Sequence, residues 1–557
     1  MADITSVRTS PEEATGHLSS WRLAIVIGSL CLGTFLLALD MNIIGVAIPK
    51  ITSDFHSLED VAWYGSVYLL TVTAFQPLGG SLYKFFNIKV VYLSSIALFE
   101  FGSILCAVAP ASKILILGRA VLGVGAAGLL QGALAIIGHV VELKKIPMYQ
   151  GIVVSSFGVS VCIGPVLGGA FTDKASWRWC FWINVPIGVT VFVAILGFVR
   201  LNTSINRLNR DLPLLKKLKH MDPIGTLLFL GSICCLLLAL QWGGQTIGWQ
   251  NSRIIGLFVG FGLLIMGFSF LQWRRGDYAT IPVRVLRKRS ILMGALVLMP
   301  LGMSSMVYAY YLPIYFQSIQ GVTPIASGVR FIALVLPQIL GLMVVGMVVT
   351  KWGYYVPYMV AGIMINIIGA GLLTTIGIDT QSTKWISYMV VNGLGIGMAM
   401  QLPYTALQVV LDPEDVATGN AIAVFSYQLG GSVAVSIGQN LFVNKLKESI
   451  SQSDTKVPVS AVIEAGATGL TQLASSPEIL RGLRLAYAIS IRRTLVFALA
   501  SACIALPFAC NMQWLNLKTV AEEISGKSVP INCEPKDNDE CEDTVTYVKS
   551  QQRKGST

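Results

Sequence analysis

Three ionisable side chains stand where this chain offers them little water. Asp40, Glu100 and Arg119 each lie within a long apolar run. A charge in hydrocarbon is expensive unless it meets a partner or a water-filled cavity. An acid and a base at matching depth can share that cost as an ion pair, and the pair opens if the acid takes up a proton. The chemistry on offer is therefore proton binding and release. The competing reading is a permanent salt bridge that pins two helices. Glu100, between Phe99 and Phe101, could hold a proton alone or simply stay neutral in a packed interface. His139, at the end of the fourth apolar run, is read as interfacial rather than catalytic.

Nothing else in the chain resembles a reaction centre. The ten cysteines are scattered and lack metal-ligand spacing, so they are read as small apolar packing residues. No His, Cys or Asp cluster has the spacing of a metal site or an activated nucleophile, which argues against an enzyme and against any metal or cofactor. Gly123, Gly125 and Gly128 spell G-x-G-x-x-G. That fingerprint needs a strand before it and an acid about 20 residues later, and this run has neither. A G-x-x-x-x-G-K-[ST] phosphate loop is also missing, so an ion gradient is the expected driving force.

The elements that must position these residues are apolar stretches near 23–47, 62–83, 89–109, 114–138, 150–172, 179–200, 223–242, 253–272, 290–312, 326–350, 356–377, 385–408, 419–443 and 494–513. About 20 apolar residues cross a bilayer as a helix, and inside lipid only a helix satisfies its own backbone. Charged residues make up 12% and apolar residues 54% of the 557, against about 25% charged in soluble domains. The spacing predicts an all-α polytopic membrane protein of 14 spans. Residues 1–21 read as a polar tail without a cleavage-like site, so the first span is expected to be retained as an anchor. Net charge is +11, but the excess falls in short loops, which argues against a nucleic-acid partner.

An even number of spans puts both termini on one side. Lys84, Lys89, Lys144, Lys145 and the clusters at 200–219 and 274–289 all fall in loops on that side, and such loops are cytoplasmic. Asp40 then lies late in an outward-running span and Arg119 early in an inward-running one, so the two share the outer half of the membrane.

The turns Gly80–Lys89 and Gly346–Tyr354 follow the second and tenth spans alike. They suggest two related six-helix halves, 22–200 and 290–513, with spans seven and eight inserted within 201–289. Internal repeats of this kind build transporters whose substrate site lies between the halves. Gly80 and Lys89 mark the candidate gating turn. Segment 444–492 is expected to be an outer loop carrying short amphipathic helices over 461–473 and 479–491. The tail 514–557 lacks an apolar pattern and is expected to be disordered. Asn202-Thr203-Ser204 matches a glycosylation acceptor, but in a loop predicted to be internal. Gly158, Gly164, Pro165, Gly168 and Gly169 in the fifth span permit close, pliable packing and are the candidate hinge. Polar groups inside spans could line a mostly apolar pocket: Tyr68, Gln76, Gln131, Tyr308, Tyr311, Asn392, Gln401, Tyr404 and Gln428, with Gln338, Asn366 and Tyr427 beside them. Interhelical packing is the competing role for each.

Taken together, these residues resemble the major facilitator superfamily, and within it the fourteen-span drug:proton antiporters of the fungal branch that exports toxins and other secondary metabolites. The likeness runs from about 22 to 513. Leu39-Asp40-Met41 through Pro49 is similar to the family's L-D-x-T-I-V-N-V-A-L-P, with Asn42 and Gly45 in place of Thr and Asn. Arg119, Gly123 and Gly125 match the motif tied to proton coupling, with Leu122 where Gln is common. Gly164, Pro165, Gly168 and Gly169 match the antiporter motif. The run Trp177–Gly188 is also similar. The turn after the second span departs from G-x-L-x-D-R-x-G-R-K, since Lys84, Phe85, Asn87 and Ile88 replace its Asp, Arg, Gly and Arg.

The resemblance implies a secondary transporter, working as a monomer in the bilayer, that expels a small hydrophobic or amphiphilic molecule in exchange for protons across, most simply, the plasma membrane. An uptake symporter for a nutrient or iron chelate, and a non-transporting sensor on the same scaffold, are the alternatives.

Overall fold

The computed structural model describes residues 20–55, 61–142, 145–199, 221–244, 247–276, 279–412, 415–452, 457–459, 461–462 and 469–519. The expected N-terminal tail, the glycosylation-like triplet, the basic cluster at 200–219 and most of the C-terminal tail lie outside these. Among the described residues there is no strand, only two isolated bridges.

The helices in chain order are α1 (Ser20–Phe55), α2 (Val61–Phe85), α3 (Ile88–Ala107), α4 (Ser112–Val140), α5 (Ile146–Lys174), α6 (Trp179–Trp182), α7 (Asn184–Phe198), α8 (Pro223–Trp242), α9 (Ser252–Arg275), α10 (Val283–Arg287), α11 (Arg289–Ser318), α12 (Pro324–Trp352), α13 (Val356–Leu373), α14 (Ser382–Met400), α15 (Leu402–Val410), α16 (Val416–Ser451), α17 (Leu470–Leu473) and α18 (Pro477–Cys510). Every expected span falls on helix. Eleven helices among the described residues are long and apolar enough to cross a membrane, or twelve if α5, bent by 42° between Val161 and Val166, counts as one. The two expected spans outside that count are α2, whose interior carries polar residues such as Thr71, Thr73 and Gln76, and α14, which breaks at Gln401 before α15.

The chain between the last two spans differs from the sequence expectation. Residues 479–491 form no separate amphipathic helix. They are the first turns of α18, which runs unbroken for 34 residues. Arg492 and Arg493 suggest a boundary in the sequence, yet Leu483, Ala486, Tyr487 and Ile491 are buried in the same apolar cluster as residues of α11 and α16. Helix α16 also continues to Ser451, so the connection is shorter than 444–492. Within 461–473, Ala461 and Val462 are helical, Leu470–Leu473 form a short helix, and 463–468 lie outside the described residues.

One apolar cluster takes its fully buried members from residues 26–199, and two others from 297–517. These are the cores of the two halves. Glycine sets the spacing within them. A side-chain carbon on Gly102 would run into the backbone of Leu122, and one on Gly125 into the backbone of Phe99, so α3 and α4 lie backbone to backbone. The halves meet along two seams, α2 against α16 and α5 against α12. The inserted hairpin α8–α9 packs over the first: Phe229, Ile233 and Leu237 of α8 and Phe268 of α9 cluster with Ala74 of α2 and Val433 of α16.

Overpacking a close contact typically costs about 1–3 kcal/mol. Gly125→Val is therefore expected to lower the melting temperature of the purified protein in detergent. Gly256→Val, on the exposed surface of α9 with no atom near its added carbon, is expected to leave it unchanged.

Candidate functional site

The ionisable residues of the apolar runs converge in the first half. Asp40 of α1 and Arg119 of α4 form a direct ion pair, Nη1 donating to Oδ2, with both side chains fully buried. Arg119 is held from two further directions. Its Nε donates to the Tyr64 carbonyl at 2.9 Å, and its guanidinium lies 4.5 Å from the centroid of the Tyr68 ring. Asp40 Oδ1 has no hydrogen-bond partner among the described residues, which leaves an oxygen on which a proton can land. Glu100 of α3 is buried, and neither of its carboxyl oxygens has a partner among the described residues. It faces Gly188 of α7, where a side-chain carbon would collide with it. Nearby, Asn184 Nδ2 donates to Ser103 Oγ at 2.8 Å.

Two cavities adjoin this cluster. The central one, about 60 Å³, lies between the halves and is lined by α1, α5, α11, α12, α14 and α16, with Asn42, Ser155, Ser305, Tyr308, Gln338 and Tyr427 as polar groups. Among the described residues, no Asp, Glu, Lys, Arg or His is on its wall. The second, about 220 Å³, lies toward the face opposite the Lys- and Arg-rich loops. Tyr68, Arg119, Trp63, Gln241 and Ser432 line it.

At the basic face the halves are tied by charge. Asp415, at the start of α16, meets Lys84 of α2 at 3.1 Å and Arg284 of α10 at 2.8 Å. The Lys84 and Asp415 side chains are only 13% and 3% exposed, so this pair is shielded from the water that weakens surface ion pairs. Lys288 reaches Asp412 at 3.6 Å beside it. Farther in, Gln401 at the α14–α15 break donates to Gln150 of α5 at 2.9 Å.

A family model described as Major Facilitator Superfamily matches residues 30–435. The chain belongs to that superfamily. It is 44% identical over 506 residues to the "MFS-type efflux pump MFS1" of Arthroderma benhamiae, covering 91% of this chain and 94% of that one. It is 40% identical over 507 residues to "Efflux pump aflT" of Aspergillus parasiticus, with 91% and 98% covered. Among solved structures, the proton:xylose symporter XylE bound to 6-bromo-6-deoxy-D-glucose superposes with a TM-score of 0.58 at 12% identity, over 90% of this chain and 100% of that one. At that identity the likeness concerns the fold alone. This transporter fold accounts for the two halves, the seams and the cavity between them.

Against that frame of helices, the sequence candidates separate. Tyr68 and Tyr308 line a cavity, as do Gln338 and Tyr427. The other cavity candidates line neither of the two, and most of them pair with a polar group on a neighbouring helix, as buried polar groups generally do. Gln131 Nε2 donates to the Gln76 carbonyl at 2.7 Å and to its side chain. Asn392 donates to Asn366 at 2.9 Å. Gln401 is taken by Gln150, and the Tyr311 hydroxyl lies 3.5 Å from Gln439. Tyr404 and Gln428 are buried between helices.

The hinge glycines also divide. Gly158 lies on the α5–α12 seam, where an added carbon would sit 2.9 Å from Val335, whereas Gly164 and Gly168 abut Asn42 and Ile43 of α1 within one half. Gly169 is buried in α5, and the Pro165 side chain lies outside the described residues. In the gating turn, Gly80 is at the α2–α16 seam against Ala417 and Ala421. Lys89 is not at that seam. Its Nζ donates to the carbonyls of Leu196 and Val199 at 2.6 and 2.9 Å, capping the end of α7. Sequence reasoning missed Asp415 and Arg284, which lie about 330 and 200 residues from Lys84 with no local pattern linking them. The available signal was Lys84 itself, a basic residue where the motif G-x-L-x-D-R-x-G-R-K carries Asp.

A hydrogen bond to a charged group contributes about 1.5–3 kcal/mol. Asp415→Asn is expected to destabilise the detergent-purified protein by that order, and Lys84→Met combined with Asp415→Asn to cost less than the sum of the two single changes. Thermal unfolding of the two single variants and the double variant checks this, and strictly additive losses count against the tie.

Proposed function

We propose that this chain exports a small, largely apolar metabolite in exchange for protons, with Asp40 and Arg119 as the coupling pair and Glu100 as a secondary proton site. The observation that carries the reading is that pair: an acid and a base, both fully buried, with Arg119 on the wall of a cavity. When Asp40 takes up a proton, Arg119 loses its counter-charge while still held at Tyr64 and Tyr68. The cost of an uncompensated buried charge, several kcal/mol, then favours a rearrangement of α1 against α4. Export as the direction is supported by relatives named as efflux pumps, and a toxin or other secondary metabolite as the cargo follows from the resemblance to the fungal drug:proton antiporters.

The basic face is taken as cytoplasmic because Lys and Arg accumulate in its loops, which puts both termini inside and the 220 Å³ cavity toward the exterior. The Lys84–Asp415–Arg284 tie then closes the cytoplasmic side, and the α5–α12 seam at Gly158 is where the halves rock. The protein works as a monomer, most simply in the plasma membrane.

Asp40→Asn keeps an oxygen for Arg119 but cannot take up a proton. It is expected to cut proton-driven export at least tenfold, with an unchanged size-exclusion profile. The measurement is export of a panel of labelled hydrophobic metabolites and dyes from cells making the protein, with and without an uncoupler. Export that survives the uncoupler, or that is normal in Asp40→Asn, would sink the coupling assignment, and accumulation would reverse the direction.

A further inference from the structure

We infer that the inserted helix α8 is a wall of the transport path, completing a chamber that binds an uncharged aromatic solute carrying hydrogen-bonding oxygens. This rests on the transport reading above and extends it to an element that the two six-helix halves do not include. Leu237, Leu238 and Gln241 of α8 line the 220 Å³ cavity directly, opposite Tyr68 and Arg119 of the first half and Ser432 of the second. Helix α8 is fastened where it does so. Trp242 packs edge-on against Trp63 of α2, their ring centroids 5.9 Å apart, and Asn440 Nδ2 of α16 donates to the Gly243 carbonyl at 3.1 Å. The helix therefore touches both halves at the mouth of the chamber. Its partner α9 is largely exposed to the surroundings, so only one helix of the hairpin takes part.

The chamber adjoins the central cavity across a shared partition, since Met41 and Tyr310 line both. Met41 is the next residue after Asp40, so a shift of α1 that follows protonation moves the partition too. The chemical class follows from the walls. Arg119 is the single acidic or basic side chain lining either cavity among the described residues, and its charge is already met by Asp40. While Asp40 is ionised, a charged solute finds no free counter-ion on these walls and loses hydration without compensation. Trp63 and Tyr310 bring aromatic rings to the wall, and Gln241, Ser432 and Ser436 offer hydrogen bonds, which suits a flat neutral molecule with oxygen substituents.

The test needs no knowledge of the natural cargo. In full-length protein with its native cysteines replaced, Leu238→Cys is expected to react with a small, water-soluble methanethiosulfonate reagent. Ile255→Cys, exposed on α9 near the same face, is expected to react at least tenfold more slowly in a bilayer. Saturating 9-anthracenemethanol is expected to slow the Leu238→Cys reaction at least threefold, whereas anthracene-9-carboxylate and 9-(aminomethyl)anthracene leave it unchanged. Equal or absent reaction at the two positions would remove α8 from the path. Reaction without protection by the neutral probe, or equal protection by the charged ones, would overturn the solute class. Protection is read without any transport step, so it stands or falls separately from the direction and proton coupling of export.

Discussion

Hydrocarbon cannot solvate charge, and most of this structure answers to that constraint. The chain carries few ionisable groups into its apolar runs, and the helices are arranged around the ones it does carry. Asp40 and Arg119 could not both be buried unless α1 and α4 brought them into contact, and that contact draws in the Tyr64 carbonyl and the Tyr68 ring from α2. Three helices of the first half are thus fixed by one charge pair. Burying such a pair is seldom a net source of stability compared with an apolar replacement, so its presence calls for a role beyond holding helices together. A pair whose energy depends on one proton is a natural place to link protonation to shape.

Packing between the halves follows a different logic from packing within them. Inside each half, helices interlock over long stretches, backbone against backbone at glycine. Across the seams, extensive helix packing is joined by separable polar and small-residue contacts: Gly158 against Val335, Thr73 against Ser432 at 3.1 Å, Gln401 against Gln150, and the charges around Asp415. Each is a polar or small-residue contact that can be remade elsewhere or hydrated, at modest cost, when two rigid bodies move. The inserted hairpin leans on the α2–α16 seam with aromatic side chains instead, including Phe229 against Phe425 at 5.1 Å.

The helices were legible in the sequence because each apolar run has to satisfy its own backbone, and length and hydropathy report that directly. The depth match of Asp40 and Arg119 was legible for the same reason, since counting along two opposed helices gives depth. The roles of Gln76, Gln131, Asn392 and Gln401 were not. A polar residue in an apolar run reads the same whether it faces a cavity or another polar residue, and only tertiary packing pairs Gln131 with Gln76. The boundary of α18 was hidden because Arg492 and Arg493 look like the end of a membrane segment. A helix of 34 residues rises about 51 Å, more than the roughly 30 Å hydrocarbon layer, and has room for charges outside it.

The tie around Asp415 bears on how relatedness is judged. Coulomb attraction depends on the product of two charges and is unchanged when both signs are exchanged. Here the base sits on α2 and the acid at the first turn of α16, where the helix dipole also favours negative charge. Letter-by-letter comparison of the turn after α2 scores a lost motif, yet the turn still carries a charge, and that charge meets an opposite one across the seam. A search for such ties would compare charge products between contacting positions instead of residue names at one position.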